Sequence, residues 1–172
     1  MKQPSHIRPG FSAITPWLIV EGAHEMELFL QRAFLAEVVE RLERSDGTTA
    51  HLTLQIGGAF LELAEAEEER PPRPATLHLY LPEVEVAYEA ALDAGAERLF
   101  EPKVDERGEY IAGIVDAAGN HWYLAEYRGE VSEAEWKRRE AGETEGAAEE
   151  ETPPDAPSTD DVAMDDRKDS GA

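Results

Sequence analysis

The chain has 172 residues, with 38 acidic side chains against 16 basic ones, a formal net charge of −22 and no cysteine. That charge argues against nucleic acid, whose binding needs a basic patch, and against an anionic membrane surface. The missing thiols exclude disulfides, thiolate catalysis and cysteine-based zinc sites. No apolar run reaches the ~18 residues of a membrane span, and the N-terminal stretch lacks the continuous apolar segment of a signal peptide, so the expectation is a soluble cytoplasmic protein.

Strands and two helices are predicted to alternate. Residues 14–20 (ITPWLIV) form a short β-branched and aromatic run; residues 23–34 (AHEMELFLQRAF) place Met26, Phe29, Leu30 and Ala33 on one helical face. Residues 37–44 read as a strand, Asp46-Gly47 as a hairpin turn, and 50–56 as an alternating strand with His51, Thr53 and Gln55 on one side. Gly57-Gly58 turns the chain into a strand at 59–65. A polar, proline-rich link (66–75) follows, and the pattern restarts with a strand at 76–81 and an amphipathic helix at 83–94 that Gly95 ends. Strands are predicted at 97–104, 109–115 and 121–127, with a turn at Asp116–Gly119, and a short helix at 131–140 capped by Ser132 with Glu135 three residues on.

The two halves repeat at an offset of about 61 residues. Thr15 maps to Thr76, Gly58 to Gly119, and Leu63-Ala64-Glu65 to the identical Leu124-Ala125-Glu126. Each half therefore reads βαβββ. The organisation expected is an N-terminal extension (1–10), a first module (11–65), the link (66–75), a second module (76–129), a terminal helix (130–141) and a tail (142–172). The tail has eleven acids, two bases and three prolines, with Val162 and Met164 as its only sizeable apolar side chains. It has too little apolar surface to offset its ordering entropy and is expected to be disordered. It carries −9, so the repeat itself carries −13. Two such modules side by side are expected to form an α+β fold, a curled, cup-shaped mixed sheet with helices outside and a ligand cavity between the modules.

The stretches TPWLIVEG (15–22), AFLAEV (33–38), HLTLQIG (51–57), LHLYL (77–81), AGAE (94–97) and DAAGNHW (116–122) resemble the vicinal oxygen chelate superfamily, the glyoxalase/bleomycin-resistance/dioxygenase fold, and within it PhnB-like proteins. The resemblance runs from Phe11 to Glu140 and implies a homodimer. In metal-dependent members it implies four ligands, carried by position onto Thr15, Glu62, Thr76 and Tyr123. Of these only Glu62 is a good ligand, since threonine hydroxyls and a tyrosine of pKa ~10 bind Zn, Ni or Fe poorly.

A small-molecule binder without the full metal site is the first expectation, with no cofactor and with Thr15, Trp17, His51, Glu62, Thr76, His78, Tyr80 and Tyr123 as the ligand-binding set. The alternative is a metal-dependent lyase, isomerase or dioxygenase in which Glu62, His51 and His78 hold a divalent Zn, Fe, Ni or Mn ion. A third reading makes the acidic tail an interaction segment. Phe29, Phe34, Phe60, Leu61 and Trp122 read as core; His6, His24 and His121 as solvated; Asp116, Gly119 and Asn120 as turn formers. Glu126 alternates away from Tyr123. The run Glu65–Glu69 lacks calcium-loop spacing, and no serine elbow, phosphate loop or dinucleotide glycine motif is present.

Overall fold

The computed structural model describes residues 6–141; the acidic tail lies outside the described residues. The first module comprises β1 (Trp17–Val20), α1 (Ala23–Phe34), β2 (Glu37–Glu43), β3 (Thr49–Ile56) and β4 (Ala59–Glu65). The second comprises β5 (Thr76–Tyr80), α2 (Val84–Asp93), β6 (Glu97–Val104), β7 (Tyr110–Val115) and β8 (His121–Glu126), followed by α3 (Glu133–Glu140). The sheets have the same order, β1-β4-β3-β2 and β5-β8-β7-β6, each with one parallel pair at its end and two antiparallel ones. The structure thus has the two βαβββ modules, mixed sheets and outer helices expected from the repeat.

Alternation assigns one face of each sheet to its helix. Leu18 and Val20 of β1, Leu52 and Leu54 of β3, and Leu61 and Leu63 of β4 are buried, as are Met26, Phe29, Leu30 and Ala33 of α1. The second sheet buries Ala112, Ile114, Trp122 and Leu124 beneath Val84, Tyr88 and Ala91 of α2. These side chains form one core, because α1 packs against α2 and Phe34 reaches across to Trp122, ring centroids 5.1 Å apart. The modules therefore meet through their helices. Within one chain the two four-stranded sheets stay separate and open.

The repeated Leu-Ala-Glu triplet has a structural cause. Its leucine and alanine are fully buried in both modules, and its glutamate serves the start of a helix. Glu65 accepts hydrogen bonds from Gly22 N (2.9 Å) and Ala23 N (2.8 Å), filling the role of an N-cap side chain where Gly22, at φ 77°, has none. Glu126 is held below the usual carboxylate range first by Arg128, which donates to it at 2.9 Å, and also by the Val84 N–H at the start of α2. It faces away from Tyr123, as alternation requires.

Asp116 organises the β7–β8 turn by accepting from Ala118 N and Asn120 N (both 2.9 Å) and from the Trp122 indole N–H (2.8 Å), while Asn120 accepts from Ala75 N (2.8 Å) and so fastens the link to the second module. Ser132 accepts from Glu135 N at 3.2 Å, as the sequence predicts, but Glu135 turns its carboxylate to Arg138 and Arg139, so only half of the capping box forms. No helix among the described residues is long and apolar enough to cross a membrane.

Candidate functional site

The face of each sheet that no helix covers carries the sequence-predicted site residues, four on each module. In the first sheet Trp17, Glu62 and Thr53 stand in one row across β1, β4 and β3. His51, two residues along β3, brings Nε2 to 3.5 Å from Glu62 Oε1 and 3.4 Å from Thr53 Oγ1. The Trp17 and His51 rings lie 6.4 Å apart at 60°. Trp17 is 46% exposed although it opens a strand. Thr15 lies just before β1, half-buried, its hydroxyl 3.4 Å from the Ser12 carbonyl.

In the second sheet His78 pairs in register with Tyr123, and Thr76 with His121. His78 stacks on Tyr80 (4.8 Å, 16°), while Tyr123 lies 5.8 Å from Phe100. Tyr80 is 55% exposed, yet its hydroxyl donates to Glu109 Oε1 at 2.7 Å. That bond is the main reason the phenol titrates above its ordinary value. Arg107 holds the same corner together, 2.9 Å from Asp105 Oδ2 and from Glu109 Oε2.

Several residues here escaped the sequence reading. Phe100 lies flat over Gly113, where a Cβ would sit 2.3 Å from its ring; only the glycine in the middle of β7 signals this approach. Glu109 is reached by Tyr80 across 29 residues, a tertiary contact without a local signature. Arg70 of the link lies 5.3 Å over the Trp17 ring. Phe60 differs from its assignment to the core: it shares the uncovered face with Glu62, is half-buried, and stacks on Phe11 of the N-terminal segment (4.5 Å, 4°). Phe29, Phe34, Leu61 and Trp122 are buried.

The four positions carried over as metal ligands do not make a metal centre within the chain. Thr15 and Glu62 belong to the first module, Thr76 and Tyr123 to the second sheet, and Glu62 supplies the only carboxylate of the four. The donor set of two threonines and a phenol does not fit a divalent transition metal. Of the alternative trio, His51 and Glu62 are brought together and His78 stands on the other sheet, stacked on Tyr80. Among the described residues no group of three or more histidine, aspartate or glutamate side chains is disposed to hold a metal ion.

Two βαβββ modules, each a four-stranded mixed sheet with its helix on one face, match the glyoxalase/bleomycin-resistance fold seen in solved structures. TioX from Micromonospora sp. ML1 matches with a TM-score of 0.59 and 17% identity, over 67% of this chain and 98% of that one. A glyoxalase/bleomycin resistance protein/dioxygenase family enzyme from Burkholderia phytofirmans PsJN matches at 0.53 and 16%, over 64% and 94%. A protein from Bacillus cereus described as a putative 3-demethylubiquinone-9 3-methyltransferase, PhnB protein, matches at 0.53 and 19%, over 67% and 100%. In sequence the chain is 28% identical over 131 residues to the uncharacterized protein Rv0887c of Mycobacterium tuberculosis (strain ATCC 25618 / H37Rv), covering 70% of this chain and 77% of that one. No protein-family model matches the chain.

Proposed function

We propose that the protein binds a small, flat organic ligand on its uncovered sheet faces, as a cytoplasmic homodimer of the PhnB-like type and without a metal-dependent reaction. The observation that carries this is the composition of those faces. Trp17 and Tyr80 stay exposed where a solvent-facing strand would carry charge, and His51, His78, Thr76 and Tyr123 surround them with hydrogen-bonding groups. An aromatic wall with a few polar groups suits a planar molecule, held by stacking and oriented by hydrogen bonds. The likeness to the Bacillus cereus PhnB protein supports the subgroup. The dimer is supported by the separation of the two sheets within one chain, which leaves a second copy to enclose a cavity over their bare faces.

The test combines sedimentation equilibrium with a thermal-shift screen of planar aromatic compounds. The expected result is a dimer, and a ligand that at about a hundredfold excess over its Kd stabilises the fold by about 2.7 kcal/mol. Trp17→Ala and Tyr123→Ala should each abolish that shift. A monomer that no such compound stabilises would sink the reading.

The 3.5 Å approach of His51 to Glu62 is the one part of the alternative reading, a site for Zn, Fe, Ni or Mn, that the fold brings together, His78 standing on the other sheet. Elemental analysis separates the two: a stoichiometric ion lost in Glu62→Ala would establish the metal reading.

A further inference from the structure

The link between the modules carries the sequence Arg70-Pro71-Pro72-Arg73-Pro74. Proline-rich chain of this kind has about three residues per turn, so residues three apart project on the same side. Arg70 and Arg73 have that spacing. The link runs beside the edge of β1, with Arg73 N 3.4 Å from the Ile19 carbonyl and Ala66 N 2.9 Å from that of Val20. This places the two guanidinium-bearing residues around the exposed ring of Trp17. Together with Ile19, Pro71 and Glu69 they line a depression of about 300 Å³.

The charge balance of this depression runs against that of the molecule. The whole chain carries −22, but the lining has two arginines and one glutamate. Arg70 shares Glu67 with Arg44, so that carboxylate already has a second cation. Arg73 makes no ion pair among the described residues. Glu62, next to Trp17 on β4, faces His51 instead. An unpaired guanidinium beside an exposed indole is a recognition element for an anion attached to a flat apolar body, because arginine offers planar paired donors and the ring offers stacking area. The distant acids weaken this little, since charges more than about 8 Å away are largely screened at physiological ionic strength.

From this geometry we infer that the first-module half of the site selects planar organic monocarboxylates, Trp17 taking the ring and Arg70 with Arg73 the carboxylate. The excess of one positive charge in the lining matches a single negative charge on the ligand. This rests on the ligand-binding reading above and adds its charge class.

The experiment is isothermal titration of the full chain with three probes of one shape: 2-naphthoate, its neutral amide 2-naphthamide, and the cation 2-naphthylmethylammonium. The expected result is that naphthoate binds about tenfold tighter than the amide, as charge-assisted hydrogen bonds in a half-exposed site allow. Arg73→Gln, at an exposed residue without an ion pair among the described residues, should remove most of that preference, read as the ratio of naphthoate to naphthamide affinity. Glu69→Gln should strengthen naphthoate alone. Equal binding of acid and amide, or a preference for the cation, overturns the charge inference while leaving the ligand-binding reading standing. If none of the probes binds, or if binding survives Trp17→Ala, both the charge inference and the ligand reading fall.

Discussion

Tyr80 shows how a single side chain on this surface answers to its tertiary neighbours. Its hydroxyl donates to Glu109, so the folded state favours the neutral phenol and the titration moves up from the ordinary value of 10.0. The sign follows from linkage: a raised folded-state value contributes stability that is fully present below about pH 10 and is lost as pH rises through the folded value. We predict that the 13Cζ resonance of Tyr80 titrates above that of a free tyrosine, and that Glu109→Gln brings it back down. An unshifted Tyr80 in the wild-type chain would mean that the Glu109 contact does not form in solution. The glutamates of the repeat make the converse point. Glu65 looks like the head of an acidic run, yet it and Glu126 each supply acceptors to the N–H groups of a helix start, which gives the shared triplet the same role in both modules.

Among the elements, α1 has the most informative ending. Its backbone closes in a widened turn, with the N–H groups of both Leu35 and Ala36 bonded to Leu30 O, the latter at 3.2 Å, and with Leu35 in the left-handed region. Leucine occupies that position at φ 54° with its side chain 83% exposed, so it bears the steric cost of the conformation with little burial in return. We predict that Leu35→Gly stabilises the chain by about 1 kcal/mol in urea titration, the relief of left-handed strain exceeding the greater freedom glycine gives the unfolded chain. Destabilisation would overturn this and show that the freedom glycine gives the unfolded chain outweighs the strain at Leu35.

For the molecule as a whole, the decisive contact is between modules. A βαβββ unit of about sixty residues buries little by itself, and here α1 and α2 each serve two surfaces: their own sheet and one another. Phe34 is the hinge of this arrangement, buried against Phe29 in its own helix (5.7 Å, edge-on) and Trp122 in the other sheet. Phe34→Ala should cost about 3–5 kcal/mol, and the loss should appear as one cooperative transition, read equally by far-ultraviolet circular dichroism and by tryptophan emission. Two separated transitions would show that the modules fold independently.

The sequence by itself determined the modules. Hydrophobic alternation, glycine turns and one helical stripe per half are local signals, and they place the strands, the two main helices and the inward faces through residues such as Leu52, Leu54 and Leu63, because side-chain direction follows from backbone period. The internal repeat also sets the candidate site residues in matching pairs, Trp17 with His78 and Glu62 with Tyr123, each 61 positions apart. Tertiary structure alone decided how the halves meet. Helix-to-helix packing within one chain, rather than sheet-to-sheet joining, depends on the fit of Phe34, Tyr88 and Trp122, and no period in the sequence encodes it. The same holds for Arg70 over Trp17 and for Tyr80 on Glu109: both join residues brought together by the fold across a turn or a strand edge. The net charge of −22 told which partners to exclude; only the placement of Arg70 and Arg73 showed where that charge is locally reversed.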